Sequence, residues 1–251
     1  MKRALSNCSK LQIYLSSLEE ERFGIRSARA ANITRINFPQ AIEFCQRHEV
    51  TLLIARCEAA QLDAVQEMER MGFFLADTLV YYARDLKTSL LPKPDSAIII
   101  RPMANGENVK VQAIAEEAFS DYKSHYHADE RLDRKKCDEA YKDWANNVCS
   151  TQDNIHEVLV AHQKDNLLAF ATLRMNDPQQ GEGVLFGVRP AAQGLGIYKA
   201  LMTAGMNWCA DRYAREMIVS TQIINIAVQK VWGRLGFEPR NYIYTLHKWF
   251  D

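Results

Sequence analysis

The sequence has no excess of charge of either sign, no clustered cysteines and no long apolar run, and each absence removes a class of function. Lysine and arginine number 31 and aspartate and glutamate 31, so the formal net charge is zero. Proteins that grip polyanions non-specifically carry a basic excess, so nucleic acid is not an expected partner. A small charged ligand stays open, because local charge can differ from the total. The six cysteines, Cys8, Cys45, Cys57, Cys137, Cys149 and Cys209, are dispersed and form no C-x-x-C or Cys/His cluster. Neither a metal site nor a disulfide framework is expected, and reduced thiols in a cytoplasmic protein are the plain reading. The opening MKRALSNCSKLQIYL is basic at first but has no long apolar stretch and no small-residue cleavage site. No stretch approaches the roughly 18 apolar residues of a membrane span. What is present is 251 residues, 47% hydrophobic and 25% charged, enough for one large or two small domains.

The main punctuation is Lys87-Thr-Ser-Leu-Leu-Pro92-Lys-Pro94-Asp-Ser96, two prolines among polar residues without a helical period. It reads as a linker and predicts two domains, 1–90 and 91–251. Before it the pattern is strand (Phe23 to Ala30), helix (Asn37-Phe38-Pro39 to His48), strand (Val50 to Ala55), helix (Gln61 to Met71, stopped by Gly72) and strand (Phe73 to Ala83). After it come a strand from Ala97 to Arg101, helices Asn108 to Phe119 and Cys137 to Val148, and strands Glu157 to Ala161, Leu167 to Met175 and Gly183 to Val188. A helix from about Gly196 to Tyr213, a strand Glu216 to Thr221, a helix Asn225 to Leu235 and a strand Tyr242 to His247 close the chain. A gap-free shift that lays Ile54 over Ile218 also superposes Arg70 on Arg234, Gly72 on Gly236 and Phe73 on Phe237. Both copies read strand, helix, Gly-Phe, strand. Short αβ units also look alike by chance, so the match alone does not decide whether the N-terminal part is a truncated copy of the C-terminal one.

Only the C-terminal copy is preceded by a glycine-rich loop, so chemistry is expected there. The segment Val184-Leu-Phe186-Gly187-Val188-Arg-Pro-Ala-Ala-Gln193-Gly194-Leu195-Gly196-Ile197-Tyr198 runs from a buried strand through a turn into a long helix. Glycines there let backbone N–H groups converge, and the helix start adds partial positive charge, which together suit a diphosphate. The loop lacks the third glycine of a dinucleotide-binding fingerprint and the Gly-Lys-Ser/Thr of a P-loop.

These residues resemble the GNAT superfamily of N-acyltransferases, whose signature is Q/R-x-x-G-x-G/A after a Val-x-Pro strand end. Gln193, Gly196 and Val188-Arg189-Pro190 match, whereas Tyr198 stands where the family has Gly or Ala. Asn225-Ile-Ala-Val-Gln-Lys-Val-Trp232-Gly-Arg-Leu-Gly-Phe237 resembles the family's N-x-x-A-x-x-x-Y-x-x-x-G-F, with Trp232 in place of the tyrosine that usually acts as general acid. The resemblance covers roughly residues 97 to 251. It implies an α/β (α+β) GNAT fold with a mixed, mostly antiparallel, splayed sheet, preceded by a truncated GNAT-like half-domain. It implies acyl-CoA as co-substrate and no metal, with Phe186, Gly187, Val188, Gln193, Gly194, Leu195, Gly196, Ile197, Tyr198 and Asn225 binding it. Asn225 also reads as a helix N-cap. An indole releases no proton to a thiolate near neutral pH, so Trp232 is expected as a wall of the thioester pocket.

A narrower resemblance is to the dTDP-fucosamine acetyltransferase group, carried by an early Phe-Gly, by Leu62-Asp-Ala-Val-Gln66 and Met71-Gly-Phe73, and by Asn207-Trp208 and Thr221-Gln222. It implies transfer of acetyl or 3-hydroxybutanoyl from acyl-CoA to the amine of a dTDP-linked dideoxyamino sugar for surface polysaccharide. Another small amine, a protein amine, or CoA binding without turnover remain the alternatives, and a homodimer is a possible assembly. Ser124-His125-Tyr126-His127-Ala128-Asp129-Glu130-Arg131 reads as a loop whose histidines suit a proton acceptor. The resemblance sets it on the acceptor side, with His125 and His127 as catalytic candidates and Tyr126, Asp129, Arg131, Thr221 and Gln222 as substrate contacts. A solvated loop with incidental histidines is the plainer alternative, and two histidines without a third ligand give no zinc site.

Overall fold

The computed structural model describes residues 10–87, 98–140, 143, 156–163 and 166–250. Most of the expected linker, and the later part of the helix expected at Cys137 to Val148, lie outside them. The described chain forms two compact units. The first comprises Met1–Leu79, Ser124–Lys136 and Asn241–Asp251; the second comprises Val80–Lys123 and Cys137–Arg240. These units do not follow a single cut at residue 90. The chain leaves the first unit within one long strand, returns for thirteen residues that carry the two histidines, and returns again at its end.

In the first unit lie β1 (Gln12–Leu15), α1 (Ser17–Phe23), β2 (Ser27–Ala31), α2 (Phe38–Arg47), β3 (Leu52–Glu58) and α3 (Leu62–Arg70), with the start of β4 (Phe74–Asp85) and the end of β10 (Glu238–Trp249). β1 pairs antiparallel with β2, β2 parallel with β3, and β3 antiparallel with β10. Residues directly opposite each other share a sheet face. One face of β3 presents Leu53, Ala55 and Cys57 to a core with Phe38 and Cys45 of α2 and Ala64, Val65 and Met68 of α3. The other face is polar in part. The register sets Arg29 opposite Ile54 and Ile54 opposite His247, so Arg29 and His247 flank one row on that face.

The second unit holds β5 (Ile99–Pro102), α4 (Asn108–Ala118), β6 (His156–Gln163), β7 (Asn166–Asp177), β8 (Gln180–Val188), α6 (Ile197–Asp211), β9 (Glu216–Gln222) and α7 (Ile226–Arg234). A further helix, α5 (residues 134–140), spans the boundary between the units in the chain. Strands β5 to β8 pair antiparallel in sequence order, and β8 pairs parallel with β9. Both faces of β6 and β7 are buried over their middle residues, which accounts for their near-continuous apolar runs. Ala169, Ala171 and Leu173 of β7 pack with Ile197, Leu201, Met202 and Met206 of α6, while Phe170 packs with Val111, Ile114 and Ala115 of α4 on the other face. The sheet is thus mixed and mostly antiparallel, the GNAT-type architecture the resemblance implied.

Two elements near the start were not anticipated. β1 was unassigned, and Phe23 ends α1 instead of opening a strand. The run Leu18-Glu-Glu-Glu-Arg22 consists of good helix formers with Glu19 and Glu20 in the first turn, and Gly24, at φ 70°, closes the helix by donating to the Glu20 carbonyl. The strand therefore waits until Ser27.

The internal repeat extends to helix capping. Phe73 N donates to Met68 O and Phe237 N to Trp232 O, each at 3.0 Å, and Gly72 and Gly236 have φ 80° and 79°. Both helices end in the same left-handed glycine cap, and the following phenylalanine is buried in each.

Candidate functional site

The parallel pair β8–β9 holds register only from Gln180 opposite Glu216 to Gly183 opposite Val219. Beyond that point the strands part, while β8 remains paired with β7 as far as Val188 opposite Ala169. The β9-side backbone of Phe186, Gly187 and Val188 is therefore not used by the ladder with β9. Gly187 has a packing reason of its own: a Cβ there would lie 2.4 Å from the Phe170 ring.

A short turn, Pro190–Ala192, then carries the chain to Gln193, whose side-chain amide reaches the Val188 carbonyl at 3.4 Å. Gly194 and Gly196 adopt φ 78° and 79°, and nothing stands within 4 Å of a Cβ built at either. Their requirement is conformational, since L side chains rarely accept this region, and the space beside them is open. Gly196 is the N-cap of α6 and supplies no capping side chain. Among the described residues, none of the backbone N–H groups of residues 194 to 199 donates to another protein group. The first turn of α6 has no acidic residue, Lys199 is exposed, and Leu195 is 65% exposed. Exposed, unpaired N–H groups at a helix start make a seat for a multiply charged anion. Arg189 does not add a free charge to it, because its guanidinium pairs with Glu117 and holds the Leu167 carbonyl.

Tyr198, in the first turn of α6, turns inward. Its hydroxyl accepts from the Trp232 indole at 3.0 Å, and its ring lies 5.5 Å from Phe186. Trp232 is 2% exposed and packs against Tyr82, with ring centroids 5.3 Å apart. Burial pushes the Tyr198 phenol well above its ordinary value, although the Trp232 hydrogen bond opposes the shift, so the group stays protonated. Asn225 is the N-cap of α7: its side chain accepts from Val228 N at 3.4 Å and donates to Thr221 Oγ1 at 3.1 Å. Gln222 is buried at the end of β9.

The histidine segment belongs to the other unit. It is a 3-10 turn, His125–Ala128, with Tyr126, His127 and Asp129 buried, and not a solvated loop. His127 is engaged as a cap: its Nδ1 meets Ser124 N at 3.1 Å and Ser124 Oγ at 3.0 Å. Tyr126 donates to Glu19 and accepts from Arg29 Nη2 at 2.8 Å, and Arg29 Nε also reaches Glu19 at 3.1 Å. Burial alone would raise the Glu19 carboxyl, but its pairing with Arg29 holds it below the usual range. Arg131 stacks on the Trp249 ring at 4.0 Å.

His247 was not singled out from the sequence, yet it is fully buried between His125 (2.9 Å) and Asp129 (2.7 Å). The alternation of Thr245, His247 and Trp249 on one face of the last strand was the available signal. Asp129 also accepts from Trp249 Nε1 at 3.0 Å and from Arg131 N at 3.1 Å. Burial would raise the Asp129 carboxyl; the hydrogen bonds from His247, Trp249 and Arg131 N lower it, and they win. Among the described residues no group of three His, Cys, Asp or Glu side chains is arranged to hold a metal ion. None of the described helices is long and apolar enough to cross a membrane.

A mixed sheet whose parallel strands part beside an open helix start is an α/β fold of the acetyltransferase type. The model of the Acetyltransferase (GNAT) family matches residues 111–237, which is 127 of the 251 residues, and the protein belongs to that family. Curated relatives match locally. Mycothiol acetyltransferase of Rhodococcus erythropolis is 34% identical over 79 residues, 30% of this chain and 26% of the relative. That of an Arthrobacter species is 37% identical over 60 residues, 24% of this chain and 19% of the relative. The matched part thus spans about a quarter or less of those relatives' length. Among solved structures, a GCN5-related N-acetyltransferase from Sphaerobacter thermophilus has TM-score 0.65 at 14% identity, covering 94% of this chain and 76% of that one. A tandem GNAT protein from the clavulanic acid biosynthesis pathway has TM-score 0.61 at 13% identity, covering 90% and 76%. At such identity these likenesses speak for the fold alone.

Proposed function

We propose that the protein is an acyl-CoA-dependent N-acyltransferase acting on the amine of a small molecule. The observation that carries this reading is the row of unpaired N–H groups from Gly194 to Lys199 at the start of α6, beside the parting of β8 and β9. In this reading the loop Gln193 to Tyr198 holds the diphosphate of CoA. The free strand edge of Phe186, Gly187 and Val188 pairs with the pantetheine amides, and a main-chain N–H there stabilises the developing oxyanion. Asn225 keeps its role as cap and adds a contact to the pantetheine arm. Trp232 is a wall of the thioester pocket. The thiolate leaves without an acid from α7, since a thiol has a reference pKa of only about 8.5.

The acceptor is an amine for which His125 serves as base. In the first unit Tyr126, Asp129 and Arg131 are its companion candidates, and His127 supports the segment as its cap; Thr221 and Gln222 are separate candidate contacts in the second unit. The narrower resemblance favours a dTDP-linked dideoxyamino sugar as acceptor, with acetyl or 3-hydroxybutanoyl as the group transferred. The matches to mycothiol acetyltransferases favour acetyl as the group transferred and a small molecule as acceptor. Residues 1–90 are read as a truncated GNAT-like copy, supported by the shared glycine cap of α3 and α7.

Thiol release from acetyl-CoA in the presence of a panel of amines tests the proposal. Turnover with amino-sugar nucleotides supports the narrow reading, and turnover only with polyamines or peptides supports another amine acceptor. CoA binding with no turnover on any amine would reduce the protein to a binding module.

A further inference from the structure

On the first unit's sheet, the face turned away from α2 and α3 carries polar groups whose needs the chain does not meet. Thr245 of β10 stands opposite Arg56 of β3, so the two side chains leave the sheet side by side on that face. Thr245 is fully buried, and its hydroxyl has no hydrogen-bond partner among the described residues. A buried hydroxyl of this kind calls for an acceptor from outside the chain. Arg56 is half-buried, and among the described residues its guanidinium makes no hydrogen bond and no ion pair.

The carboxylates that meet the histidine turn are already engaged. Glu19 is paired with Arg29 and accepts from Tyr126, and Asp129 accepts from His247 and Trp249. Glu58, the next residue of β3 on the same face, is exposed and makes no ion pair among the described residues.

One row along that face lies His247, and His125 rests on it. An ionised Asp129 only accepts, so His247 Nδ1 donates to it at 2.7 Å. With both rings neutral, His247 Nε2 accepts from His125 Nδ1 at 2.9 Å. The lone pair of His125 is then left on Nε2, which has no partner among the described residues. Burial, and then the charges of His247, Arg29 and Arg56, hold the His125 pKa well below its ordinary value. The ring is therefore neutral, and Arg56 is close enough to act on it. All of these groups belong to the first unit.

We propose that Arg56, Thr245 and His125 form a binding site for a small carboxylate that also carries a hydroxyl or ammonium group. The guanidinium fork matches the two carboxylate oxygens, and the Thr245 hydroxyl donates to one of them. The ligand's own O–H or N–H donates to His125 Nε2. Water would give Thr245 an acceptor but would leave Arg56 without a counter-charge, whereas a carboxylate answers both. A phosphate would bring about two charges to a single free guanidinium, which suits the site less. The site stands on the first unit's own groups and does not depend on acyl transfer.

Titrations of glycolate, glycine and acetate into the full chain without CoA test it, read by ring-nitrogen NMR of His125. Glycolate or glycine is expected to give a saturable shift at Nε2, with affinity about tenfold or more above that of acetate, which lacks the donor. The tighter of the two identifies the ligand as a hydroxy acid or an amino acid. Arg56→Gln is expected to weaken that ligand by about tenfold or more, since the hydrogen bonds lost are to a charged group. Thr245→Val is expected to weaken it severalfold. Without ligand, the same variant should keep or raise the urea midpoint, because the hydroxyl it removes has no partner in the chain. No saturable shift with either glycolate or glycine would overturn the proposal. So would acetate or inorganic phosphate binding as tightly as the better of them, or unchanged affinity in Arg56→Gln. A lowered midpoint for ligand-free Thr245→Val would show that the hydroxyl has its acceptor inside the folded chain, and would overturn the proposal as well.

Discussion

The indole N–H of Trp232 donates to the hydroxyl of Tyr198 at 3.0 Å, so the two positions at which this chain departs from the family's motifs touch each other. A tyrosine replaces a small residue at the start of α6, and a tryptophan replaces the tyrosine on α7. Within the second unit the phenol has moved from one helix to the other, and the buried indole has its acceptor.

The pair predicts non-additive stability. Tyr198→Phe leaves the buried Trp232 N–H without a partner and is expected to cost about 1–3 kcal/mol in urea unfolding. The same change made on a Trp232→Phe background is expected to cost much less, because the orphaned donor is gone. Equal costs on both backgrounds would show that the hydrogen bond carries no energy. In the same variants, Trp232→Phe is expected to keep kcat within about tenfold if the indole is only a wall. A loss of several hundredfold with normal folding would assign it a chemical role.

Gly72→Ala and Gly236→Ala test the shared helix cap. Both residues have φ near 80°, and a Cβ would also meet Lys248 Nζ at 3.2 Å in the first case and Arg84 Nη1 at 3.1 Å in the second. Each substitution is expected to destabilise by about 1–2 kcal/mol, read as a lowered unfolding midpoint. A neutral effect at either would mean that the cap relaxes freely there.

Much of this architecture was legible because periodicity and punctuation agree. Asn37-Phe-Pro, Gly72 and Gly236 bound their helices nearly where expected, and the turn before Gln180 was written in Asp177-Pro-Gln. The loop from Gln193 to Tyr198 was legible because Gly194 and Gly196 hold a positive φ that L side chains rarely adopt. The histidine cluster was only half legible. His125, Tyr126 and Asp129 drew attention as neighbours in sequence, but burial came from long-range packing that no local pattern records. His247 entered through strand register, which sets it opposite Ile54 on β3 and brings it to a turn far away in the chain. The short helix α1 was missed because Phe23-Gly-Ile looked extended, although the glycine was serving as a cap.

Acid should weaken the fold through His125. Burial, reinforced by His247, Arg29, Arg56 and His127, holds its pKa well below the ordinary value of 6.5. Below about pH 6.5 the unfolded chain therefore binds a proton that the folded chain does not, and stability falls as pH drops. Urea midpoints measured from about pH 8 to pH 5 should decline for the unaltered protein and decline less for His125→Gln. Parallel profiles for the two would contradict this assignment.

The buried thiols should be inert. Burial pushes Cys45, Cys57 and Cys209 up to about 12, which leaves almost no thiolate near neutral pH. Alkylation of the native protein followed by mass spectrometry should spare all three, and should reach them once the chain is unfolded. Rapid labelling of any of them in the native state would show that its unit opens readily.

Calorimetric titration of CoA into the unaltered protein, Gly196→Gln and Gly196→Glu tests the anion seat most directly. The two side chains have nearly the same size and impose the same backbone strain at φ 79°, and the space they enter is open, so their difference isolates charge at the mouth of α6. The expected result is weaker binding for the glutamine variant and a further loss of about tenfold or more for the glutamate variant, with the gap narrowing as salt is added. Equal affinity for the glutamine and glutamate variants would mean that the diphosphate does not rest on residues 194 to 199.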